Sequence, residues 1–200
     1  MKLRISLFIL AVPLLLLAGC SSDDESTPPT TPPSDQSVLD AGWTAFEAED
    51  YATAEAEFRE LLGRGALLAE AHDGLGWTFA RQSEADSALT HYQQSLALGG
   101  DELSIADQLH AGLAFALSAD NQHAECVTAA DEVSSVWVFA HDETLDHDDV
   151  LALQASAHYV LGDFAESLLA VQQVDATFDC NVATVEGRAE LAAKIESLLT

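Results

Sequence analysis

The densest set of side chains that could do chemistry lies between positions 141 and 149, where His141 and His147 mix with Asp142, Glu143, Asp146, Asp148 and Asp149. Imidazoles and carboxylates are the donors of zinc and calcium centres. The spacing fits neither. The two histidines are not a helical pair, and no glycine follows alternating acids as a calcium-binding loop needs. Asp148 or Asp149 has a simpler role as the cap of the next helix, where the helix dipole favours negative charge. No metal or cofactor is assigned, although a small-molecule or metal ligand held by the 136–149 loop stands as the alternative function. His72, His91, His110, His123 and His158 are scattered at helical positions, where packing or surface is the default. Gly74-Leu75-Gly76 falls inside a helix with no strand before it, so it is not a phosphate cradle. No nucleophile stands beside a base, and the carboxylates have no identifiable partner. No catalytic residue is assigned, and the chain is not read as an enzyme.

The elements that must position these groups show themselves as a repeat. Shifting Gly76, Trp77, Thr78, Ala88 and Tyr92 back by 34 gives Gly42, Trp43, Thr44, Ala54 and Phe58. Shifting Gly76, Phe79 and Ala88 forward by 36 gives Gly112, Phe115 and Ala124. A glycine on one helix and an alanine on the next let two antiparallel helices touch, and the large residue at 58 or 92 fills the space against the following pair. A fixed period of this length marks a solenoid. Leu75-Gly76, Phe79, Ala88 and Tyr92 resemble the tetratricopeptide repeat, and His158 to Ser167 resembles a fourth copy in which Gly162-Asp163-Phe164 forms the turn, Ser167 holds the alanine position and Ala155 replaces the glycine. The resemblance implies an all-α, right-handed solenoid of about four helix-turn-helix repeats with a C-terminal capping helix. Apolar spacing and breakers place helices near 37–48, 51–62, 68–81, 84–97, 102–118, 121–134, 148–161, 164–174 and 182–199. In the last, Val185, Leu191, Ile195, Leu198 and Leu199 would cover the final hairpin, since a terminal repeat otherwise exposes its apolar face.

Ahead of this domain, Lys2 and Arg4 precede an apolar run from Ile5 to Leu17. That run is short for a membrane span and has the layout of a secretory signal. Leu17-Ala18-Gly19-Cys20 resembles a bacterial lipobox, which implies thioether lipidation of Cys20 and cleavage before it, because only a thiol is nucleophilic enough to take the diacylglycerol. More than one acyl chain gives firm anchoring. Three regions follow: a lipoprotein signal peptide at 1–19, the lipidated Cys20 with a Pro-rich disordered linker at 20–36, and the repeat domain at 37–200. The linker could hold the domain up to roughly 50 Å from the membrane, at about 3.1 Å per residue. By analogy with enterobacterial sorting, Ser21 in place of an aspartate favours the outer membrane. The expected location is thus the cell envelope, with the domain facing the periplasm. Cys126 and Cys180 would share an oxidising compartment, yet the helix ends that carry them are about 18 Å apart at 1.5 Å rise per residue. Two free thiols are expected.

The formal charge of −27 falls to −29 once Lys2 and Arg4 leave with the leader. It makes nucleic acid and anionic membrane surfaces poor partners, and it suits either a salt-adapted organism or a basic partner. What remains is recognition. In the tetratricopeptide family the concave wall is lined by fixed positions of each first helix, which here include Trp43, Phe46, Asp73, Trp77, Arg81, Leu113 and Tyr159. Trp43, Phe46, Trp77, Arg81, Leu113 and Tyr159 are the candidate partner-binding residues, aromatic and arginine side chains being those that dominate binding hot spots. The family's clamp for acidic peptide tails needs Lys and Asn here, and neither is present. The function expected is a membrane-tethered scaffold that binds a protein or peptide in an apolar groove. Against that stands a superhelix short enough to bury its own wall. Val136-Trp137-Val138-Phe139 is an extended run that either pins into the core or protrudes as a wedge. Val138 to Asp142 resembles a loop of uncharacterised tetratricopeptide lipoproteins, a resemblance that implies no activity.

Overall fold

The computed structural model describes residues 32–200. The expected signal peptide, the Leu17-to-Cys20 motif and residues 20–31 of the expected linker lie outside them, and the linker's last residues, Asp35 and Gln36, belong to the first helix. The described residues are all-α: α1 (Asp35–Glu47), α2 (Tyr51–Arg64), α3 (Leu68–Arg81), α4 (Ala85–Ala97), α5 (Ala106–Ala119), α6 (His123–Asp131), α7 (His147–Leu161), α8 (Phe164–Val174) and α9 (Val185–Leu198), with one 3-10 turn at Gly100–Glu102. Local sequence sets many of these ends. Ser34, Asp50 and Thr184 accept backbone N–H groups of the first turns they precede, while Asp146 and Asp149 form a reciprocal capping box on α7. Three boundaries differ from expectation. Gly99 turns left-handed at φ 82°, so α5 begins only after a 3-10 turn. Helix α6 stops at Asp131, and the chain bends where the Ser134 N–H donates to Asp107 of α5. Helix α9 starts at Val185, behind its Thr184 cap.

Each helix from α1 to α8 packs on the next, and the odd-numbered helices also touch in succession, α1 to α3, α3 to α5, α5 to α7 and α7 to α9. The turns α1–α2, α3–α4, α5–α6 and α7–α8 are built alike. A left-handed residue, Glu49, Ser83, Asn121 or Gly162, sits at each, and the next residue's N–H reaches back to Ala45, Phe79, Leu117 or His158 at 2.9 Å. Counting from those residues changes the third register. Asn121 lies 38 after Ser83, so Ala114, not Gly112, corresponds to Gly76. Cys126, not Ala124, corresponds to Ala88. Burial agrees: Ala54, Ala88, Cys126 and Ser167 are fully buried, whereas Ala124 is exposed. A four-residue insertion relative to the first period of 34 thus hides behind an accidental glycine match at 36.

The glycines mark where helices close on an aromatic ring. A Cβ on Gly42 or on Gly74 would stand 2.6 or 2.5 Å from Phe58, and one on Gly76 or Gly112 would stand 2.5 Å from Tyr92. Phe58 and Tyr92 are therefore wedges, each gripped by a glycine of its own hairpin and one of the next. Both rings are fully buried, worth roughly 1.5–3 kcal/mol apiece. At the third and fourth turns the wedge positions hold Ala130 and Val171, facing Ala114 and Ala155, all of them buried. The principal core runs from α1 to α7. A smaller cluster of Ala155, Ala170, Val171, Leu191 and Ile195 joins α7, α8 and α9. Leu191, Ile195 and Leu198 face inward from α9 as expected, but Val185 is 70% exposed. Cys126 belongs to the principal core and Cys180 packs on the smaller one; both are free thiols.

The wedge geometry gives a paired expectation. Gly76→Ala should cost about 1–3 kcal/mol through overpacking against Tyr92, whereas Gly63→Ala, in open space on α2, should gain about 0.5–1 kcal/mol from helix propensity. Urea unfolding midpoints of the two variants would check both signs.

Candidate functional site

The site is the wall where α1, α3 and the α6–α7 connection meet. The connection runs extended because Trp137 and Phe139 alternate with Val136 and Val138, the period-two pattern of a strand. Trp137 is 7% exposed and Phe139 0%, while Val136 and Val138 face out at 85% and 50%. One isolated antiparallel bridge pairs Val138 with Asp146. The Phe139 N–H donates to Leu145 at 2.8 Å, and the His147 N–H donates to Trp137 at 3.1 Å. The connection thus folds back on itself as a narrow strap, pinned inward as one of the two expectations had it.

Three consecutive contacts lay this strap on the wall. The Phe139 ring stacks on Trp77, centroids 4.1 Å apart, and meets Trp43 and Phe46 edge-on at 6.2 and 5.9 Å. The His141 imidazole lies flat on Trp43 at 3.8 Å, with its Nδ1 2.9 Å from the Glu47 carboxylate. The Asp142 carboxylate accepts from the Arg81 guanidinium, which also sits 5.9 Å from the centre of the Phe46 ring. The Thr144 hydroxyl and N–H, together with Arg81, hold the Asp142 carboxyl below the usual carboxylate range. Stacking, one charge pair and a short main-chain ladder are the means by which a groove holds an extended peptide.

Of the six predicted residues, Trp43, Phe46, Trp77 and Arg81 converge here, and the first three are buried beneath the strap. Leu113 does not join them. In the corrected register Trp77 corresponds to Phe115, whose ring lies 6.2 Å from Trp77, and Leu113 turns into a cleft between α4 and α6. Tyr159 also lies apart, half-buried against Phe164 at 5.1 Å, beside a shallow cleft along α9. Trp43, Phe46, Trp77 and Arg81 share one surface, and the strap that covers it was not expected there. The alternating run at 136–139 was the available signal, and the order Phe139, His141, Asp142 complements Trp77, Trp43 and Arg81.

Four titratable side chains of the 141–149 stretch are engaged with protein, whereas the His147 Nδ1 is buried without a partner. His141 meets Glu47, Asp142 meets Arg81 and Thr144, and Asp146 and Asp149 cap α7. Among the described residues no group of three or more His, Cys, Asp and Glu side chains is placed to hold a metal ion. Behind the wall, Asp73 is fully buried; one of its oxygens accepts from Gln108 and the other has no partner. Burial pushes its carboxyl up to about 8. The Tyr92 phenol, raised well above its ordinary value by burial and then by Asp73, and the Trp77 indole N–H are likewise buried without partners. No helix among the described residues is long and apolar enough to cross a membrane. No family model, curated protein or solved structure matches the chain.

The raised carboxyl sets a pH dependence. From about pH 3.8 to 8 the folded chain keeps a proton on Asp73 that the unfolded chain releases, so this residue's contribution is fully present below that window and is lost as pH rises through it. Asp73→Asn should leave stability near pH 4 almost unchanged and raise it by about 1–3 kcal/mol near pH 9, the cost of an uncompensated buried polar group. Denaturant titrations at the two pH values would check this.

Proposed function

We propose that this chain is a lipid-anchored interaction scaffold of the bacterial cell envelope, a tetratricopeptide-like solenoid whose inner wall binds an extended protein segment. One observation carries the reading: Phe139-Ala140-His141-Asp142 already lies on the wall as such a segment would, an aromatic anchor on Trp77, a ring on Trp43 and a carboxylate on Arg81. The strap holds the partner's place and reports its chemistry. A competing segment needs an aromatic side chain followed, after one residue, by a planar ring and then an acid. The alike turns and the succession of touching odd helices support the solenoid, and the Leu17-to-Cys20 motif supports the anchor. Lipidation of Cys20 would concentrate the domain at the periplasmic face of the outer membrane, with the Pro-rich segment as spacer. The acidic surface disfavours nucleic acid as a partner.

The test uses the full chain and a synthetic peptide spanning residues 135–145. Phe139→Ala empties the central contact, and the peptide should then bind saturably in trans. It should bind wild type at least tenfold more weakly, and binding should fall again when Trp77→Ala or Arg81→Ala is added. Equal, Trp77-independent binding to all forms would overturn the groove. Palmitate incorporation in the cell, expected for wild type and lost in Cys20→Ser, tests the anchor separately.

A further inference from the structure

The corrected register exposes a difference between two clefts on the opposite, outer side of the odd helices. Residues at a shift of 38 correspond, as Ser83 and Asn121 do at the two turns. In the cleft over α3, Phe79 stacks on His91 with centroids 5.3 Å apart and planes 7° from parallel, and His91 Nδ1 lies 2.9 Å from His72 Nδ1. One imidazole donates and the other accepts. Burial lowers the pKa of both, His91 to about 4, so both are neutral near pH 7. Arg59 of α2 closes this cleft with its guanidinium 6.0 Å from the Phe79 ring centre.

In the cleft over α5 the histidine is kept and the other three fillers are lost. His72 becomes His110, Phe79 becomes Leu117 and His91 becomes Ala129, while Arg59 of the first hairpin becomes Gln93 at the shift of 34 that relates Glu49 to Ser83. Two rings and a cation disappear. What remains is a cleft of about 800 Å³, floored by Leu113, Leu117 and Ala129 and rimmed by Asp101, Glu125 and Glu132, with no Lys or Arg in its lining. His110 has lost the partner that His72 keeps, and its Nδ1 is buried without a hydrogen bond. The volume lies within the range of small-molecule sites, and an apolar floor with a few polar groups is their usual make-up. A void shaped for an aromatic ring accepts such a ring from solution.

We propose that this cleft is a binding site for a small aromatic cation: a ring seated where Phe79 and His91 sit in the neighbouring cleft, and a positive charge placed toward the acidic rim where Arg59 has no counterpart. The site is separate from the inner wall and does not depend on its occupancy. The acidic rim alone would draw any cation. The missing rings select one that carries an aromatic plane, and the filled cleft next door shows how that plane is held.

The experiment titrates the full chain, carrying isotope labels at histidine and alanine, with benzylammonium as probe. Benzyl alcohol supplies the ring without the charge, and propylammonium the charge without the ring. Benzylammonium should shift the His110 and Ala129 signals saturably, with each half-probe at least tenfold weaker. Leu117→Phe combined with Ala129→His rebuilds the filling of the neighbouring cleft and should abolish the shifts while the helical circular dichroism is kept. Glu125→Gln on α6 with Glu132→Gln just past its end, both exposed, should weaken binding at least threefold and thus keeps the test decisive if the first variant fails to fold. Non-saturating shifts, equal response to propylammonium, a folded refilled variant that still binds, or glutamine variants that bind as wild type would each overturn the proposal.

Discussion

Two aromatic rings gripped between glycines are the constraint on which the rest of the architecture depends. Phe58 and Tyr92 each stand where a Cβ from either neighbouring helix would collide, so three successive first helices are held at a spacing set by ring thickness. That spacing brings Trp43 of α1, Trp77 of α3 and Phe115 of α5 to one wall. It also leaves polar groups stranded behind that wall: the Tyr92 hydroxyl and one Asp73 oxygen are buried without hydrogen-bond partners.

The strap follows from the same geometry. A wall with two tryptophans and a phenylalanine would expose a large apolar patch, which monomers seldom tolerate, and Phe139 covers it. The cover is attached by contacts of unequal kind. The Phe139 stack is buried, whereas the Arg81–Asp142 pair is partly open to solvent and contributes little by itself. The wider electrostatics sharpen this. All five Lys and Arg side chains among the described residues are engaged: Arg59 with Glu55, Arg64 with Asp35 and Glu60, Arg81 with Asp142, Arg188 over Phe164, and Lys194 with Asp175. With 34 acids against seven Lys and Arg in the whole chain, most of the negative charge is left unopposed, and Arg81 is the one of these five cations that meets the strap.

Local signals carried most of the helix boundaries. Asp50, Asp146 and Gly162 cap or end helices by chemistry that a short window of sequence contains, and the wedge residues Phe58 and Tyr92 declared themselves by spacing. The third hairpin was misread because Gly112 falls 36 residues after Gly76 yet serves as the counterpart of Gly74, gripping Tyr92 from the far side. A glycine has no side chain to distinguish those two uses. The error then carried Leu113 to the wrong face of α5, since a shift of two residues turns a helix by more than half a circle.

By itself, then, the sequence determined the all-α class, the hairpin turns, the wedges and the identity of the wall residues Trp43, Phe46, Trp77 and Arg81, because each depends on contacts within one or two neighbouring helices. Only the tertiary structure decided what those residues touch. Phe139 and Asp142 lie some 60 positions from Trp77 and Arg81, and nothing in periodicity or propensity ties an extended connection to a wall that distant. It likewise decided that one outer cleft is filled and its neighbour empty. That depends on Phe79, His91 and Arg59 meeting from three different helices, and a change at each counterpart is unremarkable until the helices are assembled.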